Sequence, residues 1–413
     1  MKKDIDEIET QYNEHPYPLP IEDMVERIAS GYTQGSCPKY LWQRLFPEKK
    51  YKDDLNVLIA GCGTNQAIYH ALKFPNAKHY AIDLSEKSLN HVNNMVKKYN
   101  IKNLIIEKKG IEELKNKNEF DYVVSTGVIH HTKNPQESLN ILVNATKSDG
   151  ALFIMVYATY LRVGIYYLQD AFRYLGLKSN ANGIEIGKKL IQLSPKNHYA
   201  NVYIDEIQNN TYGTKDLSFN AGFVDTFFNE RDVSFDALEL KKLISDSGAF
   251  FQNWEDNAHH YRKLFNFGDL SELDIQLKTL NPYELTDFTQ KLSPSLGKFS
   301  FTLRKQKKYM NKFFKTKDLI DTTYAYKLNM DHPLNKKHDY SSKGLIVNHG
   351  RKIELDILEK IIWDQLNNNI SSILIKTNKI ISNLNTEKQI SLNELKEILH
   401  NFWKNGYISL ADV

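Results

Sequence analysis

A run of apolar residues that breaks into glycines sets the terms for this fold. Val57-Leu-Ile-Ala-Gly-Cys-Gly-Thr-Asn-Gln66 reads as a buried strand entering a Gly-x-Gly turn, and Asp83 closes the next apolar segment about twenty residues on. That is the layout of a nucleotide-binding first β-α-β unit. Gly61 and Gly63 let the backbone come close to a ligand, and the helix opening at Gln66 begins there. A carboxylate at Asp83 can accept hydrogen bonds from ribose hydroxyls; its structural alternative is a favourable charge at the start of the following helix.

The pattern continues downstream. Strands are predicted over Asn56–Ala60, His79–Ile82, Asn103–Glu107, Phe120–Thr126 and Ala151–Tyr157. Helices alternate with them over about Gln66–Phe74, over Glu86–Tyr99 behind a Ser85 cap, and over Gln136–Ala145 with Pro135 in its first turn; Asp149-Gly150 reads as a turn. Such alternation predicts an α/β, doubly wound architecture, a parallel sheet with helices on both faces. Three regions follow. Residues 1–50 form a leading segment in which Pro16, Pro18 and Pro20 enforce an extended stretch around Tyr17 before a helical pattern from Ile21 to Ala29. Residues 51–305 form the core, with helical insertions at 160–232, ending in a loop over Phe219–Asp232, and at 257–292. Between and after these come a helix at Phe235–Asp246 and strands at Phe250–Trp254 and Lys298–Arg304. Residues 306–413 read as a small α+β accessory domain, with helices at about Glu354–Leu366, Asn369–Asn383 and Ser391–Lys404, Gly406 as a stop and a strand-like tail, compatible with a winged-helix-like module.

Composition removes several function classes. At 413 residues and a net charge of +4 the chain has material for two or three domains and no strong electrostatic case for nucleic acid. The basic residues after 305 are interspersed with acids, which favours a dimerisation or lid role over nucleic-acid binding, and a homodimer is left open. Cys37 and Cys62 offer neither a disulfide framework nor metal-ligand spacing, and no metal site is expected; Cys62 sits where the glycine turn needs a small residue. The N-terminus lacks an apolar secretory stretch, and Ala151–Leu161 is too short to span a bilayer, so the expectation is a cytoplasmic enzyme without a membrane partner.

Taken as a set, Ile59-Ala-Gly-Cys-Gly-Thr-Asn-Gln66, Ala81-Ile-Asp-Leu-Ser85, Phe120-Asp121 and Gly127-Val-Ile-His-His131 resemble a class I S-adenosylmethionine-dependent methyltransferase over roughly residues 12–305. The Pro-Tyr-Pro segment and the stretch Asp225-Thr-Phe-Phe-Asn-Glu-Arg-Asp232 resemble a bacterial subgroup whose relatives include protein lysine methyltransferases. The resemblance implies a Rossmann-like sheet and S-adenosylmethionine as cofactor. It implies that Gly61, Cys62 and Gly63 underlie the methionine and ribose parts, and that Gln66 reaches the methionine carboxylate or amino group. Asp83 would take the ribose hydroxyls, and Leu84 would pack on adenine. Three positions depart from the family: Ala60 where an acid is common, Asn65 where a third glycine is common, and Gly110 where an acid usually faces adenine. Asn65 is expected to take the left-handed conformation in glycine's place, and Ile111 and Glu112 are the substitutes at the adenine end.

The cofactor carries the difficult chemistry in methyl transfer, so the protein must align acceptor and methyl, exclude water and manage a proton. Thr126 and Gly127 leave the fourth strand at the ligand-binding edge, and His130 and His131 begin a helix there, as pocket residues or as packing. Tyr12 and Tyr17 from the leading segment, Tyr157 and Tyr160 after the fifth strand, and Asn229 with Asp232 complete the candidates. Tyr12 and His131 are placed with the cofactor; Tyr17, His130, Tyr157, Tyr160 and Asn229 are placed as catalytic. The leading expectation is transfer to a small-molecule or biosynthetic acceptor. The alternatives are a polypeptide lysine acceptor and a cofactor-binding scaffold impaired in catalysis.

Overall fold

The computed structural model describes residues 7–209, 216–257, 260, 276–277, 279–310, 319–327, 340, 343–348, 351–384 and 389–411. Strands β1 (Asn56–Ala60), β2 (Lys78–Asp83), β3 (Leu104–Lys108), β4 (Phe120–Thr126), β5 (Thr146–Tyr157), β6 (Phe250–Trp254) and β7 (Lys298–Arg304) form one sheet in the order β3-β2-β1-β4-β5-β7-β6. β1 pairs in parallel with both β2 and β4, so the strand order reverses between β1 and β4. Ligands bind at such a switch point in doubly wound folds. The expected all-parallel sheet is corrected in one place: β7 runs antiparallel to both β5 and β6.

Alternate residues of the central strands feed two cores. Leu58, Ala60, Val123, Leu152, Ile154 and Val156 face one side, while Val57, Ile59, Tyr122, Val124 and Phe153 face the other. Burial on both faces is why these strands read as continuous apolar runs. Helices α1 (Glu7–Glu14), α2 (Met24–Ala29), α3 (Pro38–Leu45), α4 (Gln66–Lys73), α5 (Glu86–Tyr99) and α6 (Pro135–Ala145) precede the insertion. Ser85 caps α5 by accepting from the Ser88 amide, and Asn100 ends it at φ 53°.

Asp149-Gly150 is not a turn but lies within β5, at a register shift against β4. A side-chain carbon at Gly150 would stand 2.9 Å from the Asp121 carbonyl, so glycine permits the close strand approach. The insertion contributes α7 (Thr159–Tyr174), α8 (Ala181–Leu193), α9 (Ala200–Asn209) and α10 (Asn220–Phe227) around Ile165, Phe172, Ile184, Phe223 and Phe227. The expected loop over 219–232 is therefore mostly helix, because its phenylalanines have this core to enter. His130 and His131 close a single 3-10 turn, Ile129–His131, rather than opening a helix.

Helices α11 (Ala237–Asp246) and α12 (Pro282–Leu292) flank β6; residues 261–275 of the expected second insertion lie outside the described residues. Beyond β7, strands β8 (Tyr324–Lys327), β11 (Asn368–Asn369) and β12 (Ile408–Ala411) form an antiparallel sheet, and β9 (Gly344–Asn348) pairs with β10 (Arg351–Leu355). Helices α13 (Ile357–Asp364), α14 (Ile370–Leu384) and α15 (Leu392–Lys404) pack with them around Ile362, Ile370, Leu395 and Leu399. Of the described residues, no helix is long and apolar enough to cross a membrane.

Candidate active site

The site is built at the carboxyl ends of β1, β2 and β4. Gly61 adopts φ 74° and Gly63 φ 54°, left-handed values that disfavour other residues. A side-chain carbon at Gly61 would meet Val128 at 2.2 Å, and one at Gly63 would lie 2.9 Å from the Tyr17 carbonyl. The glycines are thus required by neighbours on both sides. Asp83 is half-buried and accepts from the Gly63 amide and the Ser85 amide, each at 2.8 Å. Burial pushes its pKa up, against the pull of these amides. It fixes the turn, and a carboxylate has further lone pairs for hydroxyl donors.

Asn65 corrects an expectation. Its φ is −121°, not left-handed, and it stands at the N-cap of α4 without a side-chain cap bond. Its side chain instead grips the leading segment, donating to the Leu19 carbonyl at 2.8 Å and accepting from the Ile21 amide at 2.9 Å. Thr64 donates to the Pro18 carbonyl at 2.7 Å. The Pro-Tyr-Pro stretch therefore lies directly on the glycine turn. Gln66 donates through its amide nitrogen to Ser36 and Thr126. Cys62 is buried, which pushes its thiol pKa up, in keeping with a packing role.

At the end of β3 the 3-10 turn Ile111–Glu113 starts after Gly110, whose amide donates to the Glu113 carboxylate at 3.2 Å. The Glu112 carboxylate folds over Gly110, 2.5 Å from where a side-chain carbon would stand, while Ile111 is buried in the core. Leu84 is half-buried beside Asp83, and Gly127 leaves β4 at φ 74°.

The second half of the site converges on Asp225, which opens the stretch Asp225–Asp232 expected as a pocket wall but carries no individual role in that expectation. Asp225, on α10 and 4% exposed, accepts from the Tyr12 hydroxyl at 2.8 Å and from the Tyr157 hydroxyl at 3.0 Å, one on each oxygen. The Asn229 amide sits 3.5 Å from both Tyr12 Oη and Asp225 Oδ1. Tyr17 is near enough to Tyr12 and Tyr157 for its phenol to act electrostatically on both. Burial first, then the Asp225 charge, raises the pKa of Tyr12 and Tyr157 well above the usual phenol value. Both stay protonated and serve as donors, not as bases.

His130 is fully buried, with its ring centroid 3.9 Å from that of Tyr157, and among the described residues neither ring nitrogen has a hydrogen-bond partner. Burial, with His131 and Arg162 nearby, holds its pKa well below the usual histidine value, so it is neutral. The His131 ring lies 2.6 Å from the Arg231 carbonyl through Nδ1 and edge-on to Tyr12. Beneath this layer Arg162 covers the Tyr157 ring at 3.7 Å and forms a buried ion pair with Asp232. Asp232 thus supports the site from below.

Tyr160 is corrected. Three residues past Tyr157 on the first turn of α7, its hydroxyl donates to Asp287 at 2.7 Å and accepts from the Ala237 amide at 2.8 Å. It joins α7 to α11 and α12 and takes no part in the Asp225 cluster. Asp225 itself was missed because only the tertiary fold brings Tyr12 and Tyr157 to it. The faint signal was an acid between phenylalanines in an apolar stretch, where an unpaired carboxylate is costly to bury. Of the described residues, no three His, Cys, Asp or Glu side chains group as metal ligands.

Residues 51–163 match a family model described as a methyltransferase domain. Uncharacterized protein syc1184_c of Synechococcus sp. is 24% identical over 306 residues, which cover 70% of this chain and 69% of that protein. Of the solved structures, PKMT2 from Rickettsia typhi superposes with a TM-score of 0.63 at 15% identity, covering 92% of this chain and 77% of that one. Its complex with AdoHcy gives 0.62 at 14% identity, covering 92% and 76%. The fold is the Rossmann-like class I methyltransferase fold. Methyl transfer is the chemistry of the matched domain, with S-adenosylmethionine as cofactor.

Proposed function

With a methyltransferase domain over residues 51–163 as the premise, we propose that this chain transfers a methyl group from S-adenosylmethionine to an amine nitrogen, on a small molecule in the first reading. The observation that carries the amine is the buried Asp225 carboxylate, approached by Tyr12 and Tyr157 beside the glycine turn. A carboxylate ringed by phenols suits an ammonium group by charge and by aromatic faces. The seating of the leading segment on the glycine turn supports a small acceptor.

The residues present fit the cofactor. The left-handed glycines open the backbone, Asp83 has lone pairs for the ribose, Leu84 offers an apolar face to adenine, and Glu112 is the acid at the adenine end. When bound, the cofactor supplies an activated methyl carbon for in-line displacement. The chain's own part is positional and protonic. Asp225 holds the acceptor and receives the proton the nitrogen must shed, since Tyr12 and Tyr157 are held protonated and His130 is held too weakly basic. Asn229 and Tyr17 shape the wall around that carboxylate, and Tyr157 is kept rigid between Arg162 and His130.

A second reading is a lysine side chain of a polypeptide. It is favoured by the likeness to PKMT2, which covers 92% of this chain.

The test is incubation with radiolabelled S-adenosylmethionine against lysate fractions above and below a small size cut-off, for wild type and Asp225→Asn. Label on amines of small molecules supports the first reading, and label on lysines supports the second. Transfer only to oxygen or carbon, or undiminished transfer by Asp225→Asn, would sink the amine assignment.

A further inference from the structure

Asp225 is 4% exposed, and a phenol is bonded to each of its oxygens, Tyr12 on one and Tyr157 on the other. An amine reaches that carboxylate only when something covering it moves. Tyr157 ends β5 inside the seven-stranded sheet, and its ring lies against Arg162 and His130. Asn229 is itself 1% exposed. Tyr12, in contrast, comes from α1, an eight-residue helix ahead of the core.

Helix α1 is lightly held. Eight residues are fewer than an isolated helix needs to persist in water, so its contacts decide whether it stays in place. Its buried apolar side chain is Ile8, and the other buried residue is Gln11. Gln11 Oε1 accepts from the Glu230 amide at 3.4 Å, while its Nε2 is buried with no partner among the described residues. An unpaired buried donor costs at least what one ordinary hydrogen bond returns. Other ties are polar and near the surface. Glu9 pairs with Lys108 at 2.8 Å, the Ser85 hydroxyl donates to the Tyr12 carbonyl at 3.0 Å, and Asn13 Oδ1 accepts from the Lys87 amide at 3.3 Å.

The cofactor end does not depend on these ties. Helix α5 keeps its own cap, Ser85 Oγ accepting from the Ser88 amide at 3.1 Å, and Asp83 keeps the Gly63 and Ser85 amides. Pro18, Leu19 and Ile21 stay bonded to Thr64 and Asn65, which fixes the point about which α1 can swing.

We propose that α1 is a gate over the acceptor carboxylate. Lifted, it takes the Tyr12 hydroxyl off Asp225 and opens that acid to an amine; seated, it returns the phenol and shuts the acid from water. This rests on Asp225 as the acceptor's anchor in the reading above. It gives the leading helix a step of its own in turnover, before methyl transfer.

The experiment is carboxyl labelling of the full chain with a water-soluble carbodiimide and glycinamide, read by mass spectrometry at three aspartates. Asp225 is the test position. Asp54, whose side chain is 73% exposed, sets the open rate. Asp287, 8% exposed and bonded to Tyr160 and Lys291, reports general loosening. In wild type Asp225 is expected to label at least about tenfold slower than Asp54, because reaction waits on opening. Glu9→Gln should speed labelling at Asp225 by about twofold, the scale of a surface ion pair, and added salt should do the same in wild type. Ile8→Ala combined with Glu9→Gln should speed it by about tenfold or more, with Asp287 unmoved. The gate is overturned if Asp225 labels as fast as Asp54 in wild type, since the acid would then be open already. It is equally overturned if neither variant changes the rate at Asp225, or if Asp287 accelerates in step, since the cover would then lie elsewhere or the opening be global. Methyl transfer by Asp225→Asn is read separately: undiminished transfer brings down the acceptor reading, while labelling alone decides whether α1 opens over the acid.

Discussion

The Tyr12 hydroxyl donates to Asp225 at 2.8 Å although 213 positions separate them in the chain. On the backbone of the same residue, the Tyr12 carbonyl accepts from the Ser85 hydroxyl at 3.0 Å, two residues from Asp83. One residue of the leading helix therefore touches both halves of the candidate site, the Asp83 end of the crevice and the buried acid.

Asp225→Asn keeps size and shape but removes the charge. We expect methyl transfer to the true acceptor to fall by roughly a hundredfold, the scale of losing a charge-assisted contact in a low-dielectric site, with S-adenosylhomocysteine affinity little changed. Tyr12→Phe should lose less, since Tyr157 and Asn229 still face the carboxylate. Steady-state kinetics beside calorimetry checks this; equal loss of cofactor affinity in Asp225→Asn would mean the acid supports the fold rather than the acceptor.

The leading segment is held on the glycine turn by Thr64 and Asn65. Each such hydrogen bond contributes about 1 kcal/mol. Thr64→Val with Asn65→Ala should therefore speed proteolysis and hydrogen exchange within residues 7–21 and hasten dissociation of S-adenosylhomocysteine. Unchanged exchange there would show that packing alone holds the segment.

Much of this arrangement was legible in the sequence, for a physical reason. Strands buried on both faces must be apolar throughout, and turns that touch a ligand must be glycine, so β1 to β5 and the Gly61/Gly63 turn announce themselves. Tyr12, Tyr17, Tyr157, His130 and Asn229 are candidates from their positions at strand ends, in the leading segment and in the stretch Asp225–Asp232, and the structure brings these side chains together. Asp225 escaped because its role depends on partners from both ends of the core. Tyr160 departs from the expectation because Tyr157 ends β5 while Tyr160 lies on α7, whose direction carries its hydroxyl to Asp287 and the Ala237 amide. Asn65 was assigned to backbone conformation when its side chain does the holding. Local pattern fixes the backbone; which polar groups meet is decided by the fold.

Acid should unfold this protein early. Burial lowers His70 to about 3 and His79 to about 4, against an unfolded value of roughly 6.5. Between those limits the unfolded chain binds protons that the folded chain refuses, so stability is complete above about pH 7 and falls as pH drops from 6.5. The slope is at most about 1.4 kcal/mol per pH unit for each histidine. Urea midpoints from pH 7.5 to pH 5 should show this decline, and His79→Phe should flatten it. A pH-independent midpoint would contradict it.

Arg162 and Asp232 are paired with essentially no side-chain exposure. Arg162→Met leaves an uncompensated buried carboxylate, costing about 3–5 kcal/mol in denaturant titrations. Arg162→Met combined with Asp232→Leu should recover most of that loss while still lowering turnover, because Tyr157 loses the guanidinium on its ring. Failure of the double variant to regain stability would place the main role of Arg162 in its contacts with Tyr166 and Tyr203.

The most direct measurement is calorimetric titration of S-adenosylhomocysteine into wild type and Asp83→Ala, with circular dichroism to establish that both are folded. We expect saturable one-to-one binding by wild type and a loss of roughly a hundredfold in the variant, which lacks both the ribose acceptor and the brace on the glycine turn. Equal affinity of the two proteins, or no binding by folded wild type, would contradict a cofactor held between the Gly61–Gly63 turn and Asp83.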